Sequence, residues 1–511
     1  MKSIALLLIL VTNLPLIAAG ADSSELYRAH CLSCHGEDRL GAMGPALLPQ
    51  SLERLKPAEV LATIRDGRVA TRMLGFANTL SESEIQELAA WLRTPPAEPP
   101  RWTESDIAAS HIRYVDRAQL PRHPIFHADP KNLFVVVEGG DQHVTVLDGD
   151  KFKPIARFQS RFAVHGGPKF TEDGRFVYFA SRDGWVTEYD LYSLQKVAEI
   201  RVGLNTRNLA VSSDGAWVLA GNTLPETLVL LDAKTLKPVK IFAVNGSDAK
   251  PSRVSAVYDA APRHSFVVAL KDAAELWEIS YDRRRQPLDH GHQSKRHRDE
   301  AIHDYLNPRV ARLDMALDDF FFDGSYRFVM AAAREGKAEV IDLDTNTKVA
   351  ELALDGMPHL GSGITFDQDG HHYMATPNLN TGRVTVVDMD RWRVVQHIDT
   401  PGPGFFLRSH ENTPYAWVDS MMSSRKDTLS IIDKRTLQVV KELTLRPGKT
   451  NAHVEFTRDG RYALVSIMES PGELVVVDAA NFREVAALPM MGPIGKYNVY
   501  NKVTRSEGTS H

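Results

Sequence analysis

Val146-Leu147-Asp148 decides the fold, because this pattern of apolar residues closing on an aspartate returns along most of the chain. Successive aspartates of the pattern are 42, 42, 110, 46, 45 and 45 residues apart. The 110-residue interval holds two repeats, since Leu276-Trp277-Glu278-Ile279 supplies a further strand 46 residues after Asp232. The chain therefore contains eight repeats. The recurrences are Glu188-Tyr189-Asp190, Leu230-Leu231-Asp232, Val340-Ile341-Asp342, Val386-Val387-Asp388, Ile431-Ile432-Asp433 and Val476-Val477-Asp478.

Asp-Gly pairs lie upstream of this strand in several repeats. Glycine accepts the positive φ of a tight turn, so Asp-Gly between two apolar runs predicts a β-hairpin. A period of about 40–45 residues with four short strands is typical of a propeller blade. A series of β-sandwiches would not keep one spacing over this length. The sequence therefore predicts a mainly β fold, with an eight-bladed β-propeller over residues 111–511. The pairs are Asp173-Gly174, Asp214-Gly215, Asp369-Gly370 and Asp459-Gly460.

The N-terminal part of the chain contains a haem attachment motif, Cys31-Leu32-Ser33-Cys34-His35. Two cysteines in an exported protein usually form a disulfide. Cys-x-x-Cys followed directly by His instead indicates c-type haem attachment, in which two thiols hold the haem and the histidine binds its iron. The motif predicts one covalent haem c on Cys31 and Cys34, with His35 as an iron ligand.

Residues 21–94 are predicted to form a small all-α cytochrome c domain around this haem. Ser81 with Glu84 makes a capping box, and an apolar stripe follows at helical spacing. Met43 and Met73 are the candidates for the sixth iron ligand. Met73 is preferred, because the loop around it resembles the Met-Pro-x-Phe loop of many small cytochromes c. The stripe consists of Ile85, Leu88, Ala89 and Leu92.

The N-terminal segment and the charge balance indicate where the protein is located and which partners it can bind. Residues 1–20 have the pattern of a cleaved signal peptide and predict export to the periplasm, since the apolar run is too short for a spanning helix. Residues 95–110 form a proline-rich linker. Sixty basic and 65 acidic residues leave a net charge of −5, which gives no basis for nucleic-acid binding or membrane insertion. The basic stretch at residues 283–303 is interpreted as a surface insertion.

A cytochrome c domain followed by an eight-bladed propeller resembles the cytochrome cd1 family, and two stretches carry the resemblance. Ala163-Val164-His165, followed by Ser181-Arg182-Asp183-Gly184, is similar to the family's haem d1 ligand region. Gly495-Lys496-Tyr497-Asn498-Val499-Tyr500-Asn501 is similar to the family's C-terminal Gly-Lys-Phe-Asn-Val-Tyr-Asn. The resemblance implies a noncovalent haem d1, or its dihydro form, on the propeller axis with His165 as proximal iron ligand.

The same resemblance implies a set of residues around the tetrapyrrole. His359 and His410 match the distal pair that faces substrate in the family's nitrite reductases. Departures include Pro168 where the family has an arginine and His453 where it has a glutamine. The carboxylate clamp is therefore altered. The residues expected to hold tetrapyrrole carboxylates are Arg182, Arg207, Lys169, Lys496 and Tyr497.

These departures favour the biosynthetic branch of the family, which oxidises dihydro-haem d1 to haem d1 by converting a propionate to an acrylate. A weaker clamp suits an enzyme that releases its tetrapyrrole, and no glycine-rich dinucleotide loop is present. Electrons would leave through haem c. His453 is the first candidate base, with His359 and His410 next, because imidazole titrates near neutral pH.

Two alternatives remain open at the level of sequence, a cytochrome cd1 nitrite reductase and a noncatalytic haem d1 carrier. The resemblance implies a small periplasmic cytochrome c or azurin-like protein as electron acceptor. It also allows the nitrite reductase itself as the recipient of haem d1.

Overall fold

The computed structural model describes residues 22–42, 44–52, 55–67, 73–98, 100–284, 305–333 and 335–504, and only the backbone of residues 165 and 166. The predicted signal peptide, Met43 and most of the basic insertion lie outside these ranges. Those three interpretations stay predictions.

A small helical domain begins the described chain. Asp22 caps the first helix by accepting a hydrogen bond from the Ser24 backbone N–H at 3.0 Å. Ser81 and Glu84 form the predicted capping box of the last helix of this domain, whose apolar stripe is buried. These helices enclose one apolar core, so the expected all-α module is present. Its helices are α1 (Ser23–His30), α2 (Leu32–His35), α3 (Pro49–Leu52), α4 (Pro57–Asp66) and α5 (Glu82–Leu92).

Eight antiparallel sheets of four strands follow in the described residues, and one of them carries β1 as a fifth strand. The eight-bladed propeller is confirmed. The strands are β1 (Ile112–Arg113), β2 (Leu133–Glu138), β3 (His143–Asp148), β4 (Lys153–Gln159), β5 (Val164–Phe170), β6 (Phe176–Ser181), β7 (Trp185–Asp190), β8 (Gln195–Arg201), β9 (Asn205–Val211), β10 (Trp217–Leu224), β11 (Thr227–Asp232), β12 (Pro238–Ala243), β13 (Val254–Ala260), β14 (Ser265–Leu270), β15 (Glu275–Ser280), β16 (Pro308–Arg312), β17 (Asp319–Phe322), β18 (Phe328–Ala332), β19 (Lys337–Asp342), β20 (Thr347–Ala353), β21 (Ile364–Gln368), β22 (His371–Pro377), β23 (Arg383–Asp388), β24 (Arg393–Asp399), β25 (Leu407–Arg408), β26 (Tyr415–Asp419), β27 (Leu429–Asp433), β28 (Gln438–Leu443), β29 (Asn451–Phe456), β30 (Tyr462–Ile467), β31 (Gly472–Asp478), β32 (Glu484–Met490) and β33 (Pro493–Asn498).

The repeated aspartates occupy one position in this architecture, because each ends the third strand of its sheet. The inner strands of the eight sheets surround a common axis. They are β5, β9, β13, β17, β21, β25, β29 and β33. The C-terminal β33 pairs with the N-terminal β2, with Lys496 opposite Val136, and so closes the ring.

The four Asp-Gly turns connect inner strands to second strands, and their glycines have φ between 66° and 76°. We call the face that carries these turns the lower face, and the face at which the inner strands begin the upper face. Loops that enter the inner strands and loops between second and third strands therefore meet on the upper face.

The proline-rich segment between the domains is partly helical. It contains α6 (Glu104–Ala109), whose Ile107 is buried in the propeller core. Thr103 caps this helix through the backbone N–H of Asp106. After β33 the chain ends in α7 (Val499–Thr504). Within the described ranges, none of the helices is long and apolar enough to cross a membrane.

The sheet that closes the ring should depend on the buried face of β2. We expect Val136→Ala to lower the free energy of unfolding by about 2 kcal/mol, because Val136 is fully buried and its truncation leaves a cavity. Val440→Ala on β28 is the matched control, since Val440 is half exposed and the change should stay within about 0.5 kcal/mol. If chemical denaturation showed equal losses of unfolding free energy for Val136→Ala and Val440→Ala, this assignment of the core would be contradicted.

Candidate functional site

The haem c motif has the geometry of an iron site. Cys31 and Cys34 do not form a disulfide. His35 is buried, and its Nδ1 lies 2.8 Å from the carbonyl oxygen of Pro45, which can only accept a hydrogen bond. The proton of the neutral ring is therefore on Nδ1, and the Nε2 lone pair is available to iron. Burial also lowers the pKa of His35, which favours the neutral ligand form.

Met73 lies at the start of the loop that leads to α5. Its assignment as the sixth ligand stays a prediction.

The predicted proximal ligand, His165, belongs to inner strand β5 and pairs with Ala180 of β6. The pairing becomes irregular between His165 and Lys169. Within this stretch Gly167 has φ +69°, and a Cβ on it would lie 3.0 Å from the Tyr497 ring. The backbone thus brings the middle of β5 close to the Tyr497 ring, near the end of β33. The side chain of His165 lies outside the described part of the chain, so its role as iron ligand stays a prediction.

Five ring side chains form a continuous surface along the axis, which we call the aromatic wall: His359, Phe405, Phe406, His453 and Tyr497. Successive ring centroids are 4.2, 4.6, 4.4 and 5.2 Å apart. The first three rings come from upper-face loops that enter β21 and β25, and the last two come from β29 and β33. A flat tetrapyrrole can pack against such a wall.

Asp419, at the end of β26, anchors the middle of this wall. Its carboxylate is fully buried and accepts hydrogen bonds from the backbone N–H groups of Phe405 at 2.8 Å and Phe406 at 2.9 Å. The backbone of His453 bonds the same carboxylate. One carboxylate therefore connects two blades. Burial raises its pKa to about 6.

His359 has the tautomer of a proton acceptor. Its Nδ1 lies 2.8 Å from the carbonyl oxygen of Phe405 and must donate to it, so Nε2 of the neutral ring carries the lone pair. Burial lowers the pKa of His359 to about 4, and the guanidinium groups of Arg207 and Arg408 act in the same direction. The ring is therefore neutral near pH 7.

His453 has the opposite tautomer. Its Nδ1 accepts a hydrogen bond from the backbone N–H of Lys496 at 3.5 Å, so the proton of the neutral ring is on Nε2. That Nε2 is buried and has no hydrogen-bond partner among the described residues. Burial, together with the Lys496 ammonium, lowers the pKa of His453 well below its usual value. In this tautomer Nε2 of His453 is a hydrogen-bond donor, and the role of His453 as a base stays a prediction.

The structure does not bring His410 together with His359. His410 follows β25 toward the lower face, and its Nδ1 accepts a hydrogen bond from the Asn412 backbone N–H at 3.1 Å. A Cβ on Gly460, in a lower-face turn, would lie 2.5 Å from the same nitrogen. The ring beside His359 is Phe405, at 4.2 Å. The expected distal pair is therefore not formed, because His410 turns away from the upper-face pocket.

Among the predicted carboxylate-binding cations, Arg207 and Lys169 lie along the axis. Nε of Arg207 donates to the Ser255 carbonyl oxygen at 2.7 Å, and its charge acts on His359. Lys169 Nζ lies 5.3 Å from the Tyr258 ring, two blades away, so this side chain reaches past the neighbouring inner strand β9. Burial lowers the pKa of Lys169 to about 8.

The other two predicted cations are placed differently. Arg182 lies in an upper-face turn, where its backbone N–H donates to the Ala163 carbonyl oxygen at 3.1 Å. Lys496 is fully buried, and its ammonium donates to the His453 carbonyl oxygen and, at 2.8 Å, to Ser466 Oγ. Lys496 therefore supports the strand that carries His453. Its charge does not face open space.

Sequence reasoning missed two further cations, Arg408 and Lys502. Arg408 is 3% exposed, donates to the Leu407 carbonyl oxygen at 2.8 Å and has a buried Nε without a hydrogen-bond partner in the described residues. Lys502, on α7, has Nζ 5.5 Å from the Tyr497 ring. The position of Arg408 on an inner strand was the available signal. No repeat pattern marked Lys502, because α7 lies outside the blades.

These observations fit an anionic tetrapyrrole. The axial site combines an aromatic wall, two neutral imidazoles of opposite tautomer and a group of cations, of which Arg408 is buried. Unpaired buried polar atoms, Nε2 of His453 and Nε of Arg408, are costly unless a bound molecule satisfies them. Guanidinium groups suit the carboxylates of such a molecule.

Comparison with known proteins assigns the family. Residues 128–502 match the model described as "Cytochrome D1 heme domain", and residues 18–92 match "Cytochrome C oxidase, cbb3-type, subunit III". The chain belongs to the cytochrome d1 haem-domain family. The expected resemblance is confirmed, and the second match agrees with the N-terminal cytochrome c domain.

Individual relatives extend this assignment over the whole chain. A "Dihydro-heme d1 dehydrogenase" of Pseudomonas aeruginosa is 51% identical, with 100% of both chains covered. A solved structure, "Dihydro-heme d1 dehydrogenase NirN in complex with DHE", is 52% identical with a TM-score of 0.86, covering 94% of this chain and 99% of the other. A "Nitrite reductase" of Stutzerimonas stutzeri is 23% identical, with 94% and 92% covered.

The low pKa of His359 predicts a specific effect of pH on stability. Between about pH 6.5 and pH 4 the unfolded chain takes up a proton at this histidine and the folded protein does not, so folding is weakened as pH falls. Relative to a His359→Gln variant, the wild-type protein should lose on the order of 1 kcal/mol of unfolding free energy between pH 7 and pH 5. If the wild-type protein and the His359→Gln variant lost the same unfolding free energy between pH 7 and pH 5, His359 would not be a buried neutral side chain.

Proposed function

We propose that this protein oxidises dihydro-haem d1 to haem d1, converting a propionate side chain to an acrylate in the last step of haem d1 formation. The observation that carries the proposal is the 51% identity to a dihydro-haem d1 dehydrogenase over the full length of both chains, including both domains. The axial pocket and the haem c module supply the two parts that such a reaction needs.

The substrate binds on the propeller axis against the aromatic wall. His165 holds its iron from β5, and Arg207, Lys169, Arg408 and Arg182 hold its carboxylates. Guanidinium groups bind carboxylates through paired hydrogen bonds, which fix the orientation of the ring as well as its position. Arg408 is buried, so water screens its charge on the substrate only weakly.

The reaction breaks one C–H bond on each of two neighbouring carbons and forms the C=C bond of the acrylate, releasing two protons and two electrons. Nε2 of His359 accepts one of the two protons, since its lone pair is held open by the bond from Nδ1 to the Phe405 carbonyl, and the other proton is released to solvent. His453 donates a hydrogen bond from Nε2 to the substrate, and Tyr497 packs beside it at 5.2 Å. Burial raises the pKa of Tyr497 to about 12, so this side chain enters the reaction as a neutral phenol.

Cys31, Cys34 and His35 hold the haem c, which supplies one-electron transfer when bound. Two electrons leave the substrate one at a time, and each passes to an external one-electron acceptor. A small periplasmic cytochrome c or azurin-like protein is the proposed acceptor, with export directed by residues 1–20. A haem d1-dependent nitrite reductase is the proposed recipient of the product.

The nitrite reductase alternative is less well supported by the pocket. It requires two imidazoles on the substrate side of the tetrapyrrole, and the ring beside His359 is that of Phe405, whereas His410 lies against the lower-face turn at Gly460. The carrier alternative predicts binding without chemistry. The same assay separates all three functions.

The assay mixes purified holoprotein with dihydro-haem d1 and a one-electron oxidant under anaerobic conditions. We expect a product lighter by two hydrogens, observed by mass spectrometry, with concurrent reduction of the haem c absorption bands. Nitrite given to the haem d1-loaded protein should be reduced slowly or not at all. Rapid nitrite reduction without dehydrogenation would support a reductase, and stoichiometric binding without either reaction would support a carrier.

The tautomers predict unequal roles for the two histidines. His359→Gln should lower kcat by about 10²-fold or more, the usual contribution of a positioned base. His453→Gln keeps a hydrogen-bond donor and should change KM by a few-fold while kcat stays within about tenfold. His410→Gln is the control, because His410 lies outside the pocket. A large kcat loss in His453→Gln with normal turnover in His359→Gln would reverse these assignments.

A further inference from the structure

Arg201, at the end of β8, connects the cytochrome c domain to the propeller. It is 8% exposed, and its Nη2 donates to the carbonyl oxygen of Leu40 at 2.7 Å. Its guanidinium also lies 4.6 Å from the ring of Trp102, which belongs to the proline-rich linker. Trp102 Nε1 in turn donates to the Arg201 carbonyl oxygen at 2.9 Å. One side chain therefore contacts the cytochrome domain, the linker and a blade.

On the cytochrome side, this contact reaches the haem c ligand directly. Leu40 precedes Gly41, whose backbone N–H donates to the His35 carbonyl oxygen at 2.8 Å. Four residues later in the same loop, Pro45 accepts the hydrogen bond from His35 Nδ1. The loop that Arg201 holds is therefore also the loop that orients His35.

On the propeller side, the same guanidinium reaches the turn that leads to the axial pocket. Nε of Arg201 donates to the Asp183 carbonyl oxygen at 2.9 Å. The neighbouring Arg182 donates its backbone N–H to Ala163, two residues before His165. Hydrogen bonds and short pieces of main chain thus run without a break from His35 to the strand that carries His165.

Apolar packing surrounds this connection. Ala46 and Leu48 of the cytochrome loop are buried against Leu204 and Leu224 at the upper face. Leu204 enters β9, three residues before Arg207, so the docking surface adjoins the predicted substrate cations. The contact between the domains therefore lies between the two haem sites.

We propose that Arg201 is a positioning residue that fixes the haem c loop on the propeller and thereby couples oxidation in the axial pocket to reduction of haem c. The inference rests on the proposed function for its kinetic part. Its structural part, the docking of the loop, stands independently. A methionine at this position would keep most of the apolar volume and remove both hydrogen bonds.

The test compares wild-type and Arg201→Met holoproteins in two measurements. In the protein without substrate, hydrogen exchange at the Gly41 and Leu47 amides should be about tenfold faster in the variant, the size expected for loss of charge-assisted hydrogen bonds. After mixing with dihydro-haem d1, haem c reduction should be at least about tenfold slower, with substrate affinity and the haem c spectrum unchanged.

Arg175→Met is the matched control. Arg175 also joins the segment before the first blade to the sheet of β5–β8, through Asp190 at 2.8 Å and the Pro121 carbonyl oxygen at 2.9 Å, but on the lower face. The Arg175→Met substitution should leave both the hydrogen exchange and the rate of haem c reduction at their wild-type values. If Arg201→Met does not fold, Arg201→Lys, which retains one donor, should give an intermediate slowing in both.

Three results are decisive. The inference would be overturned if the Arg201→Met variant showed wild-type hydrogen exchange and a wild-type rate of haem c reduction. It would also be overturned if haem c reduction were slower only because the variant binds the substrate more weakly. If the wild-type protein itself fails to reduce haem c, the proposed function fails. Hydrogen exchange alone then decides whether Arg201 docks the loop.

Discussion

The pairing of β33 with β2 is the interaction on which the rest of the structure depends. Seven blades follow one another along the chain, but the remaining blade needs its inner strand from the C-terminus. This closure places Tyr497 at the axis and Lys496 behind His453. It also brings α7, and with it Lys502, beside the inner strands. A pocket on the axis therefore exists only in the closed ring.

Placing several cations close together at the axis costs free energy, and this cost explains which ligand the site favours. Arg408, Lys169 and Lys502 lie close enough for their charges to act on one another, and loss of hydration lowers the pKa of each. Cations gathered in this way repel one another and lack water. An anionic ligand with several carboxylates removes both penalties. Burial keeps His359 neutral, and the charges of Arg207 and Arg408 lower its pKa further.

The sequence predicted the parts of this protein that repeat or follow short motifs. The spacing of the aspartates predicted eight blades, and the haem motif predicted His35, whose hydrogen bond to Pro45 leaves Nε2 for iron. Side-chain direction at the axis was harder to predict, because it depends on contacts between blades far apart in the chain. His410 lies two residues after Arg408, yet one faces the lower turns and the other the axis. Lys496 matched a motif but supports the main chain of His453.

The central claim is that electrons from a tetrapyrrole on the axis leave through the haem on Cys31 and Cys34. The most direct measurement is an anaerobic single turnover in which the acrylate product and reduced haem c are followed in the same sample. The account predicts that both appear at one rate and that the two electrons of each product are recovered as one on reduced haem c and one on a one-electron oxidant supplied at one equivalent. Formation of the acrylate while haem c stays oxidised would contradict it.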